Sequence, residues 1–89
     1  MRAAYQTSFE KDLEKLRGNQ MVLDRIADAI RNVDAADNIQ AIRNIKRVQS
    51  KKSCYRIRVG DYRIGVTIEA DLVTYYRCLH RREIYRYFP

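Results

Sequence analysis

The sequence predicts an α+β fold, a mostly antiparallel β-sheet with an N-terminal helical hairpin packed on one face, in the order β-α-α-β-β-β. Three observations carry that prediction. Apolar residues recur at helical spacing before residue 35 and alternate with period two from residue 54 onward. The bare pair Gly60-Asp61 separates two alternating runs, as a tight hairpin requires. No proline- or serine-rich linker divides the chain, whose single proline is Pro89, so its 89 residues read as one domain, 1–89.

Each element follows from its residues. "RAAYQT" (2–7) is a short strand. Thr7 or Ser8 caps a helix, with Thr7-x-x-Glu10 fitting a capping box. Phe9, Leu13 and Leu16 form one face of that helix and Gly18 ends it. A second helix over about residues 20–34 aligns Val22, Ile26, Ile30 and Val33, and two helices this close in sequence form an antiparallel pair. Residues 39–48 read as a turn of helix leading into a strand near 44–48. "SCYRIRV" and "YRIGVTI" are hairpin strands, and "LVTYYRCLH" is another after Glu69-Ala70-Asp71. With the helices on one face, the other face of the sheet is left largely open.

Charge is distributed unevenly. Residues 1–40 hold six Lys/Arg and seven Asp/Glu (−1), and residues 41–89 hold twelve and four (+8). The excess lies wholly in the C-terminal half, which suits a polyanion such as nucleic acid. No apolar run approaches the ~20 residues of a membrane span, and the start lacks a secretory h-region. A cytoplasmic location is therefore expected. Cys54 and Cys78 are too few for a disulfide framework and read as small buried hydrophobes. With His80 the only histidine, neither a metal site nor another cofactor is expected.

Strand alternation assigns the faces. Tyr55, Ile57, Val59, Ile64, Val66 and Ile68 point to the helices, which turns Arg56, Arg58 and Arg63 outward. If Cys78 is buried, Leu72, Thr74 and Tyr76 go inward with it, while Tyr75, Arg77 and Arg81 join the outer arginines. Strands lie about 4.8 Å apart, so these guanidiniums can converge on one phosphate. Crowded like charges cost stability unless an anion relieves them, which points to a site. In "HRREIYRYFP", Phe88 pins the tail to the sheet. Tyr85 either does the same or offers a stacking surface to an unpaired base.

The runs "CYRIRVGDYRIGVTI" (54–68) and "YYRCLHRREIY" (75–85), after a helical hairpin, resemble the RelE/ParE superfamily of bacterial toxins over essentially the whole chain. The resemblance implies the RelE-like fold and, in the RelE-like branch, a small metal-independent endoribonuclease, an mRNA interferase acting in the ribosomal A site. There the RNA's own 2′-hydroxyl attacks, leaving a 2′,3′-cyclic phosphate. Carried onto this chain, Arg56, Arg58, Arg63, Arg81 and Tyr85 are the catalytic candidates. Arg58 and Arg63 would clamp the phosphate, and Arg81 would donate toward the leaving 5′-oxygen. Lys51, Lys52, Arg77 and Arg82 are candidate RNA-binding cations.

This chain departs from the family by carrying arginine at 56 and 58, where some members have lysine. Arginine cannot be deprotonated, so the base is left open among His80, Tyr85, Lys51 and Lys52, with His80 equally able to point inward beside Cys78. The resemblance also implies a cognate antitoxin, with an acidic or amphipathic segment covering the basic face. Two other readings stay open: a ParE-like DNA gyrase inhibitor without nuclease activity, and a degenerate member that only binds RNA or its antitoxin.

Overall fold

The computed structural model describes residues 1–89. Five strands, β1 (Arg2–Tyr5), β2 (Ile45–Arg47), β3 (Cys54–Val59), β4 (Tyr62–Glu69) and β5 (Leu72–His80), form one sheet in the order β1-β5-β4-β3-β2. Only the β1–β5 pair is parallel. Helices α1 (Thr7–Lys15) and α2 (Gln20–Ala35) cover one face, and a single 3-10 turn at Ile39–Ala41 leads into β2. The helical face holds the main core, in which Phe9, Ile26, Val33, Ile57, Ile64, Val66, Val73 and Tyr75 are buried.

Helix α1 starts one residue earlier than the capping-box reading. Gln6 is the N-cap and makes no side-chain cap bond. The Ser8 hydroxyl instead donates to the Tyr76 carbonyl at 2.6 Å, tying the helix start to β5. Asn19 caps α2, its Oδ1 accepting from the Val22 N–H at 3.4 Å. In the hairpin turn only Gly60 has positive φ (59°), the pattern of a type II′ turn.

Two expectations need correction. The first concerns β5. Gly65 pairs with Arg77 but Val66 pairs with Tyr75, so Tyr76 is an extra residue, a β-bulge. The bulge reverses the phase of the strand before it. Val73 and Tyr75 therefore point to the helices, with Tyr75 stacked on Tyr5 (4.9 Å), and Tyr76 points out against Phe88. Cys78, beyond the bulge, is inward as expected, and the aromatic phase fails because one strand's alternation was carried through a defect that its partner imposes.

The second concerns the outer face, which is partly covered. After β5 the chain folds back as the short helix α3 (Ile84–Tyr87). Ile84 and Phe88 bury themselves there with Val48 and Cys54, a second small core on the outer side of the sheet. Phe88 anchors the tail as the sequence reading expected. Both cysteines are buried and free.

Candidate nucleic-acid cleft

Beside the second core, β2, β3, β4 and α3 leave a cleft of about 690 Å³. Lys46, Arg47, Arg56, Arg58, Arg63 and Tyr85 line it, together with Asn44 and the β2–β3 loop, and no lining residue is acidic. Strand register explains the convergence. Lys46 stands opposite Arg56 across β2–β3, and Arg58 stands opposite Arg63 across β3–β4. Directly opposed like charges are unfavourable in a sheet, so the arrangement stores a repulsion that a bound anion would relieve.

Each arginine is held differently. The Arg56 guanidinium carbon sits 4.3 Å from the centre of the Tyr85 ring, and its Nη2 donates to the Phe88 carbonyl at 3.4 Å. Its Nε is buried and has no hydrogen-bond partner. Arg58 Nη2 donates to Asn44 Oδ1 (3.4 Å), and Arg63 Nη1 donates to the Gly60 and Tyr62 carbonyls (2.9 Å each). Tyr85 is 70% exposed, so its ring holds Arg56 on one side and keeps much of its surface free. That combines the two roles the sequence left open for aromatic residues of the tail: Phe88 anchors and Tyr85 presents.

Six expected residues stand elsewhere. Arg81 is not among the cleft-lining groups; its Nε lies 3.8 Å from Asp61 and its N–H donates to the Asp61 carbonyl (2.7 Å) at the β3–β4 turn. His80 is opposite Tyr62, with the rings edge-on at 5.8 Å, on the helical side of the sheet, and its Nδ1 accepts from the Arg82 N–H. The alternation that turns Cys78 inward takes His80 with it, so a base in the cleft is not His80. Arg77 stands at the free edge of β5, where it makes a two-point ion pair with Asp12 (2.8 and 3.1 Å) and lies over Tyr87. Asp12 also accepts from the Cys78 N–H at 2.9 Å, which raises no demand for solvent at a carboxylate that is almost fully buried. Arg82 is exposed in the turn after β5, and Lys51 and Lys52 are exposed on the β2–β3 loop, beyond its cleft-lining residues.

Sequence reasoning missed Lys46 and Arg47. Their signal was present, since a strand near 44–48 paired with "CYRIRV" must set one of its cations beside Arg56.

A model of the ParE toxin of the type II toxin–antitoxin system matches residues 4–85. Toxin RelE3 of Methanocaldococcus jannaschii is 34% identical over 90 residues, covering the whole of both chains. The chain belongs to the RelE/ParE superfamily of toxins. Its fold agrees with that of the superfamily's solved members. The RelB–RelE antitoxin–toxin complex from Methanococcus jannaschii superposes with a TM-score of 0.76 at 34% identity, covering 96% of this chain and 98% of that one. YafQ from Escherichia coli superposes with a TM-score of 0.76 at 15% identity, covering 96% and 99%, a likeness of fold. No helix of this RelE/ParE chain is long and apolar enough to cross a membrane.

Proposed function

We propose that this protein is the toxin of a type II toxin–antitoxin pair and that it cuts mRNA on the ribosome by 2′-hydroxyl attack, without a metal. One observation carries the reading: five cations and a phenol meet in a single acid-free cleft. In-line attack builds charge on the non-bridging phosphate oxygens. Arg58 and Arg63, opposed across two strands, supply paired donors there. Arg56, held against the Tyr85 ring, adds its positive charge beside the same phosphate, and the exposed side of Tyr85 stacks on a flanking base. Of the cleft's cations only Lys46 carries an amine, which, unlike a guanidinium, can release a proton. Lys46 and the Tyr85 phenol are therefore the proton acceptors to test. Arg81 acts after leaving its long, exposed pair with Asp61 and reaching the departing 5′-oxygen.

In the cell, such a surface is masked by an acidic or amphipathic segment of a cognate antitoxin, as the RelB partner of the similar RelE suggests. The second reading, a gyrase inhibitor, is favoured by the placement of Arg81 outside the cleft and by the ParE description of the matching family.

Translating ribosomes and a reporter mRNA decide between them. The nuclease reading expects cuts at codon-linked positions, reduced at least a hundredfold by Arg63→Ala or Lys46→Met. Blocked DNA supercoiling with intact mRNA would establish the gyrase reading instead. Arg81→Ala is expected to abolish growth inhibition; an equally toxic variant removes Arg81 from the mechanism.

A further inference from the structure

A second groove, also about 690 Å³, runs between α2 and the turn end of β3. Arg25, Arg31 and Arg43 line it, against one acid, Asp28, which is ion-paired with Arg31. Asn44 and Arg58 line both this groove and the cleft, so the two are continuous around the end of the short β2. We infer that this groove is a second backbone subsite, holding the sugar–phosphate chain of the RNA as it leaves the cleft.

The turn at Gly60 joins the two. Its carbonyl accepts from Arg63 Nη1 at 2.9 Å on the cleft side. On the other side, a Cβ at Gly60 would stand 3.3 Å from Arg25 Nη1. One two-residue turn thus carries a guanidinium from each site. Asn44 sits at the junction in the left-handed region (φ 60°), its carbonyl accepting from the Arg58 N–H at 3.0 Å, and this keeps Arg58 at the corner that a strand must round.

The chemistry of the groove favours phosphates over a partner helix. An amphipathic helix needs an apolar stripe to land on. Of the apolar lining residues, Ile57 and Val59 are already buried in the core, leaving only Ala29 and Ala35. Four arginines beside two alanines match a polyanion.

This inference rests on the cleft being an RNA site, and the test separates the two. Anisotropy titrations use a dinucleotide and a decanucleotide of 2′-O-methyl RNA, which lacks the attacking hydroxyl. The variant joins Arg25→Ala and Arg43→Ala, both exposed, and its melting temperature is checked against the parent. The expected result is about tenfold weaker decanucleotide binding with unchanged dinucleotide binding. The log–log salt dependence should be shallower by about 1.4, two single-strand phosphate contacts. Unchanged decanucleotide binding overturns the subsite while leaving the cleft standing. Equal weakening of both lengths overturns it too, since the loss is then not confined to the longer strand. If the variant loses an acidic antitoxin peptide but keeps the decanucleotide, the groove belongs to the protein partner. A parent protein that binds neither RNA removes the cleft reading and the subsite together.

Discussion

Gly65 and Phe88 occupy one space: a Cβ at Gly65 would lie 2.5 Å from the Phe88 ring. The glycine in the middle of β4 is there for close approach, and it lets the tail reach the sheet. Gly65→Ala must push the ring outward and is expected to cost about 1–3 kcal/mol. Because Phe88 ends the helix that bears Tyr85, the same change should loosen the Arg56–Tyr85 contact. Denaturant melts of Gly65→Ala, Phe88→Ala and the double variant check this. The double variant should lose less than the sum of the singles, since the clash vanishes with the ring.

Ala70 adopts φ 53° in the β4–β5 turn, a left-handed conformation that a Cβ disfavours. Ala70→Gly is expected to stabilise the fold by about 1 kcal/mol, seen as a raised melting temperature. RNA binding should not change, because the turn lies at the opposite end of β4 from Arg63.

The ion pair between Asp12 and Arg77 is structural. Asp12→Ala strands a partly buried guanidinium and frees the Cys78 N–H, and is expected to cost about 3 kcal/mol. Arg77→Ala should likewise lower stability while leaving oligonucleotide affinity within twofold. A large loss of affinity at unchanged stability would return Arg77 to the RNA-binding set.

Alkaline pH should unfold the protein through its core. Burial pushes the Cys78 thiol up to about 12 from 9.0, and burial also raises the Tyr75 phenol. Both groups are acids held neutral in the fold. Above pH 9 the unfolded chain ionises Cys78 while the folded chain does not, so the unfolded state binds fewer protons and stability falls as pH rises. The loss approaches 1.4 kcal/mol per pH unit for the thiol, from about pH 9 to about 12. Below pH 8 the thiol contributes no slope. Chemical denaturation across pH 7–11 should show this, with a flatter curve for Cys78→Ala.

Local patterns made much of the fold legible. The α2 stripe, the Gly60-Asp61 turn and the inward set from Ile57 to Ile68 all follow from periodicity within one element. The bulge was not legible from β5 alone, because an extra residue is defined only against a partner strand. Gly65 inside a strand was the available hint. The site divides the same way. Arg56, Arg58 and Arg63 follow from alternation, whereas Lys46 and Arg47 depend on β2 pairing with β3 in a register that no sequence window contains. Alternation along β5 sets Arg81 with the outer arginines and the family resemblance gives it a catalytic role, but its position beside Asp61 reflects how the β5 end meets the hairpin turn.

The carboxylate of Asp12 has one further effect. Strand β1 shields β5 only along Leu72–Tyr75, so the rest of that border would otherwise present bare amide hydrogens to any passing extended peptide. With the Cys78 amide already engaged and α1 lying alongside, another chain finds no template there for growing the sheet. Self-association by edge pairing is thereby discouraged on this flank, and an invading strand would have to join at β2 instead.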